Sequence, residues 1–172
     1  MVAVLVCLFA VGMAALLNYF KYRTANDRIV KARMVVVGRG IENSIQASMA
    51  VGLPFSDLGG LAGQLDRERA TDDMITAISV IDTEGKRLYS TDRSRIGKAV
   101  PSSWVVTARQ AGESDWVADD GDNVAIGIPV RNNFGLAVGH VVMRYSPEKL
   151  NRAAHAVGRD LAVSAGIAFL GA

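Results

Sequence analysis

Apolar sequence opens this chain and apolar sequence closes it. From Met1 to Phe20 the only strongly polar residue is Asn18, and a second apolar run begins at Leu161 and continues to Ala172. A membrane-spanning helix needs roughly 20 predominantly apolar residues, with about 17 as the lower limit. The first run meets that length, and Tyr19, Lys21, Tyr22 and Arg23 supply the aromatic and basic anchors expected where a helix leaves lipid. The second run is shorter and reads as the first part of another span, with a C-terminal amphipathic tail as the alternative. The expected organisation is a transmembrane helix over residues 1–22, a domain over 23–158, and the truncated start of a second transmembrane helix over 159–172. A cleaved signal peptide fits the opening run less well, since nothing basic precedes Val2 and the aromatic cluster after Leu17 is a poor peptidase site.

The roughly 140 residues between the apolar ends suit one ordinary domain. A net charge of +2 is too small to draw the chain to nucleic acid, and no nucleic-acid partner is expected. Lys21, Arg23, Arg28, Lys31, Arg33 and Arg39 nevertheless face only Asp27 and Glu42 near the start. That run reads as the solvated face of a helix, with contact to lipid head groups as the alternative. Positive flanks tend to stay in the cytoplasm, but the tendency weakens for long translocated domains, so an extracytoplasmic domain remains the expectation. The single cysteine, Cys7, lies inside the apolar run, and no internal disulfide can form.

Val30, Met34, Val37, Ile41, Ile45 and Met49 recur at spacings of three and four, which predicts a helix from Asn26 to Met49 with one apolar stripe. A stripe of about seven turns is long for one small domain to cover. A homodimer through this helix is therefore expected, and packing on the domain's own sheet can share the same helix. Gly52 and Pro54 end it, and Phe55 to Arg69 reads as a loop leading into a short second helix. Ile75 to Asp82 and Lys86 to Thr91 then form a hairpin about the turn at Thr83 to Gly85. Pro101 to Ala111 reads as a helix, and three strands follow near Asp115 to Ala118, Asn123 to Val130 and Leu136 to Tyr145. A last helix from Pro147 leads out. The predicted fold class is α+β: a long N-terminal helix, then a PAS-like antiparallel sheet of about five strands, with a flanking transmembrane helix.

The hairpin ISVIDTEGKRLYSTDRSRIGK, Ile78 to Lys98, resembles the signature of Cache-type, PAS-like extracytoplasmic sensor domains of bacterial membrane receptors. The closing hairpin GIPVRNNFGLAVGHVVMRY, Gly127 to Tyr145, is similar to theirs as well. The resemblance covers about Asp27 to Leu150 and is strongest in these two hairpins. It implies a non-enzymatic input domain in the bacterial inner membrane, binding a small ligand between sheet and loops and signalling through its membrane helices. The output it implies is first a sensor histidine kinase, with a chemoreceptor, cyclase or phosphatase as others. No cofactor and no metal are implied. An accessory membrane protein whose PAS-like domain binds a protein partner, or serves in dimerisation, is the alternative function.

In the subset of this family that senses citrate and four-carbon dicarboxylates, an arginine and a histidine three residues later hold carboxylate. Aligned through Gly85 and Ile96-Gly97, Arg87 falls on that arginine, Ser90 on the histidine, and Ala125 on a second arginine. One match of three argues against a di- or tricarboxylate and leaves a smaller anion for Arg87, whose planar fork of donors suits carboxylate. The resemblance thus points to Arg87, with Tyr89, Ser90 and Trp104 lining the pocket. The plainer readings are an exposed strand arginine and core packing for the Trp104 indole.

Little points to catalysis. His140 and His155 are the only histidines and form no metal-binding pair. Asp119, Asp120 and Asp122 lack the loop length and terminal Glu of an EF-hand and read as a hairpin turn. Gly38-Arg39-Gly40 lies inside the helical pattern and lacks the third glycine of a nucleotide loop.

Overall fold

The structure, a computed structural model, describes residues 2–148, with side chains at Phe9, at Met13 and from Arg28 onward. Pro147 and Glu148, which open the expected exit helix, are helical; the rest of that helix and the expected span over 159–172 lie outside the described residues, as do most side chains of the expected span over 1–22. Among the described residues, no helix is long and apolar enough to cross a membrane. The chain divides into two compact units, Met1–Arg33 and Met34–Ala172. The described backbone of the first unit is α-helical throughout and belongs to helix α1 (Val2–Ala50).

The second unit holds the rest of α1, then α2 (Leu61–Thr71), β1 (Ile75–Asp82), β2 (Arg87–Ser90), α3 (Ser102–Ala111), β3 (Trp116–Asp120), β4 (Asn123–Arg131) and β5 (Ala137–Tyr145). Its five strands form one sheet in the order β2-β1-β5-β4-β3, antiparallel at every junction. The α+β architecture of a long helix followed by a five-stranded antiparallel sheet is thus present.

Local chemistry sets the C-terminal end of α1 and its seat on the sheet. Gly52, at φ 95°, takes the left-handed conformation that closes a helix, and Gly52 N–H and Leu53 N–H donate to Met49 O (3.0 Å) and Ser48 O (3.2 Å). Within the second unit, Met34, Ile41 and Ile45 are buried, so this part of the apolar stripe packs on the domain's own sheet. Gly38 makes the closest approach: a Cβ there would stand 2.3 Å from Ile128 Cδ1 and 3.5 Å from Met143 Cγ. Cross-strand partners share a face, so Ile78, Val80, Ile126, Val141 and Tyr145 join Ile128 and Met143 on this side. Alternation sends their neighbours Ser79, Ile81, Ala125, Gly127, His140, Val142 and Arg144 to the other side. There α3 lies over Ile81, Ala125, Val142 and the first residue of β3, with Trp104 and Ala108 turned inward.

β3 runs further than the sequence pattern predicts. Asp119 and Asp120 continue the strand, paired with Val124 and Asn123, and only Gly121, at φ 66°, and Asp122 make the turn. The strand gains these residues because the register that seats Trp116 opposite Gly127 keeps both acids within the ladder.

Candidate functional site

The α3 side of the sheet collects the polar residues, and the β1–β2 hairpin places most of them. The Asp82 carboxylate accepts from Glu84 N–H and Lys86 N–H, both at 2.9 Å, which pins the turn. Gly85 sits at φ 86° with Val105 Cγ2 and Val100 Cγ2 2.6 and 2.9 Å from where a Cβ would stand, so only glycine fits. A register shift between Val80 and Ile81 then sets Arg87 beside Ile81, Tyr89 beside Val80 and Ser90 beside Ser79. Arg87 and Ser90 therefore share the α3 face with Trp104. Tyr89 is on the α1 face, where its hydroxyl oxygen accepts from Leu58 N–H at 2.6 Å.

Arg87 is 5% exposed. Its Nη1 donates to Ala99 O at 2.8 Å and its guanidinium carbon lies 5.8 Å from the centroid of the Trp104 ring. Among the described residues no carboxylate stands within ion-pair distance of it. Burial, and then the Arg95 and Arg144 charges, loosen its hold on its proton, while Asp120 and Asp92 act in the other direction. A cation removed from water without an opposite charge is costly, and a π-face with one carbonyl offsets only part of that cost. Ser90 is buried with its hydroxyl 3.0 Å from that of Ser79, and it accepts from Asp92 N–H at 3.1 Å.

Aromatic rings continue from Arg87 across the face. The centroids of Trp104 and Trp116 are 6.0 Å apart, and those of Trp116 and His140 5.9 Å, the latter edge-on. Both indole N–H groups are buried without an acceptor among the described residues, as is the Nε of Arg144. Elsewhere on the Arg144 guanidinium, Nη2 pairs with the Asp120 carboxylate. Burial holds the His140 imidazole below its ordinary pKa, hence neutral at pH 7. Among the described residues the face therefore presents several buried donors without an acceptor and, in Arg87, one cation without a carboxylate.

Next to this run lies a cavity of about 310 Å³ between the Asp82–Gly85 turn, α3 and the start of β5, lined in part by Ile81, Val105, Ala108, Arg109 and His140. A second of about 190 Å³ lies on the other side of the domain, between α1, the Leu58–Gly60 loop and α2. Among the described residues no three His, Cys, Asp or Glu side chains gather as a metal site would require.

The sequence pattern picked out Arg87, Ser90 and Trp104, which the fold brings to one face. It missed Trp116, Asp120, His140 and Arg144. The available signal was period two in β3, where Trp116, Ala118 and Asp120 share a side, and in β5 a histidine and an arginine, His140 and Arg144, four residues apart in a largely apolar strand.

No family model and no curated relative matches the sequence. Solved structures do match. The sensor domain of E. coli DcuS superposes with a TM-score of 0.58 at 15% identity, over 72% of this chain and 93% of that domain. An extracellular ligand-binding receptor from Desulfohalobium retbaense matches at a TM-score of 0.50 and 14% identity, over 73% of this chain but only 24% of its own length. At such identities the likeness is one of fold, and that fold is the Cache-type, PAS-like fold of bacterial extracellular sensor domains.

Proposed function

We propose that a chain with this sensor-domain fold is the extracytoplasmic input of a transmembrane signalling receptor in the bacterial inner membrane, a sensor histidine kinase before other outputs. It binds a small anionic ligand on the α3 face of its sheet and passes the event on through membrane helices over residues 1–22 and 159–172. The observation that carries this reading is Arg87, a buried guanidinium that has no carboxylate among the described residues, on the same face as two buried indole N–H groups that have no acceptor among them. Such an arrangement leaves interaction energy to be gained when an anion arrives, because charge-assisted hydrogen bonds strengthen in a water-poor site. Arg87 supplies the charge, Trp104 the stacking face and indole donor, and Ser90 supports the strand beside Ser79. Tyr89, on the α1 face, acts through the position of the Leu58 loop.

The same fold supplies a route for the signal. α1 packs directly on the far side of the strands that carry the site, with Gly38 on Ile128 and Met143, the neighbours in sequence of Gly127 and Val142. A ligand that favours one packing of the sheet therefore favours one packing of α1. Homodimerisation through α1 belongs to this proposal, supported by Ile29 and Val36, which are 64% and 71% exposed in the single chain.

Thermal unfolding of the chain against small carboxylates, phosphates and amines tests the reading. A ligand present at a hundred times its dissociation constant stabilises the folded form by about 2.7 kcal/mol, a clear rise in midpoint. Arg87→Met should abolish that rise. Silence across the panel from a folded protein refutes the anion-sensor reading.

A further inference from the structure

Two guanidinium groups project from the strands on the α3 face, those of Arg87 and Arg144, and the face does not offer both of them to a ligand. Arg144 projects from β5, directly across from Ala125 of β4 and Ala77 of β1. Asp120 projects from the end of β3 on the same side, because Trp116 pairs with Gly127 and the intervening alternation brings Ala118 opposite Ala125. The two side chains pair with each other and are 14% and 16% exposed. Arg87 stands beside Trp104 and has no such partner among the described residues. Beside the indoles, Arg87 and Arg144 against the one carboxylate of Asp120 leave one positive charge, while His140 is held neutral by its burial. The remaining charged neighbours of Arg87, Arg95 and Asp92, pair with each other at 3.0 Å and cancel.

From this geometry we infer that Asp120 is a built-in counter-ion that sets the charge of the ligand: with Arg144 already neutralised, the site takes a small monocarboxylate and rejects dicarboxylates. The inference rests on the anion-sensor reading and sharpens it. A second carboxylate would have to displace Asp120 from Arg144, or else bury a negative charge beside the Asp120 carboxylate, and either is unfavourable in a water-poor site. A single carboxylate meets Arg87, and its apolar remainder meets the indole faces. Asp120 acts here through Arg144 and is a specificity-determining residue without itself touching the carboxylate.

The test is titration calorimetry on the full 172-residue chain in detergent, with acetate, monomethyl succinate and succinate as probes. Monomethyl succinate and succinate have nearly the same length and differ by one charge, so their comparison in the unaltered protein decides the point without any mutant. The expected result is that at least one monoanion binds and that monomethyl succinate binds about tenfold or more tightly than succinate. Asp120→Asn removes the counter-ion at constant shape and frees Arg144. It should raise the succinate to monomethyl succinate affinity ratio by about tenfold or more, the scale of one charge-assisted hydrogen bond. Asp120→Asn combined with Arg144→Gln removes both charges and should restore the original ratio. If succinate binds the unaltered protein as tightly as its monoester, or if Asp120→Asn leaves the ratio unchanged, the counter-ion role is overturned while the sensor reading stands. If no probe binds the folded protein, both fall.

Discussion

Gly127→Ala probes the floor of the candidate site, and its cost can be worked from distances. A Cβ at residue 127 would stand 2.0 Å from Trp116 Cε2, 2.2 Å from Cζ2 and 2.4 Å from Nε1. Ordinary carbon contacts are at about 3.5–4.0 Å, so the indole must move by about 1.5 Å or more. It has little room: Trp116 is 2% exposed, with Trp104 on one side and the His140 ring on the other. Overpacking of a core costs about 1–3 kcal/mol, and loss of a buried Trp from its seat about 3–5 kcal/mol. Removing a strand glycine returns about 0.5–1 kcal/mol. A rigid ring forced out by that distance belongs toward the upper figure, and a net loss of about 2–4 kcal/mol is expected. In urea, with a slope of about 1–3 kcal/mol/M, the midpoint should fall by about 1 M or more, accompanied by a changed near-ultraviolet circular dichroism from the indoles. Adding Trp116→Leu should cost less in this background than in the unaltered protein, by about 1 kcal/mol or more, because the two positions contact each other. A midpoint within about 0.3 M of the original would refute the close seat of Trp116 on Gly127, and with it the floor of the site.

Arg87→Met should leave the ligand-free protein as stable as before, or more stable, because it removes a buried cation that lacks an opposite charge; a loss above about 3 kcal/mol in chemical denaturation would show that the guanidinium is structurally satisfied. Burial holds the folded pKa of His140 below its ordinary value of 6.5, so its contribution to stability is intact above that pH and is lost as pH falls through 6.5 toward the folded value. His140→Gln should flatten the acid side of the thermal-stability profile, and an unchanged slope between pH 7 and 5 would contradict the burial argument. Glu42 is the opposite case: burial raises its pKa above 4.5 despite Arg39, Gln46 and Arg131, so it opposes folding at pH 7 and ceases to do so once pH falls below 4.5. Glu42→Gln should therefore raise the melting midpoint at pH 7 and have no effect near pH 4. Tyr89→Phe strands the Leu58 N–H and should cost about 1–3 kcal/mol without altering ligand selectivity, checked by denaturation and calorimetry together.

Most of the fold is legible in the sequence because its signals are local. Period 3.6 marks α1, Gly52 and Pro54 end it, and the Asp82 to Gly85 turn names the first hairpin. These depend on residues a few positions apart. Arg87 shows where locality stops. An arginine in a short strand after a turn has every local reason to be at the surface, and what buries it is Trp104, delivered by α3 from later in the chain. The Tyr89 position fails for a related reason: simple alternation after Arg87 would keep both residues on one side, but the register shift between Val80 and Ile81 sends Tyr89 to the α1 face.

Asp120 makes the point most sharply, because its chemistry is set by register alone. In sequence it belongs to a run of acids around a glycine, and tight-turn composition is its natural reading. In the fold Trp116 opposite Gly127 fixes β3, and two alternations later Asp120 faces Arg144. A slip of one residue would turn Trp116 outward and bring Val117, now 48% exposed, onto the α3 face, with Asp119 following it. That slip is excluded by volume: Gly127 is the only residue of β4 without a side chain, and so the only one that gives the indole a seat. A glycine in one strand thus decides which aspartate stands beside an arginine in another, and through that pair the charge that remains for a ligand.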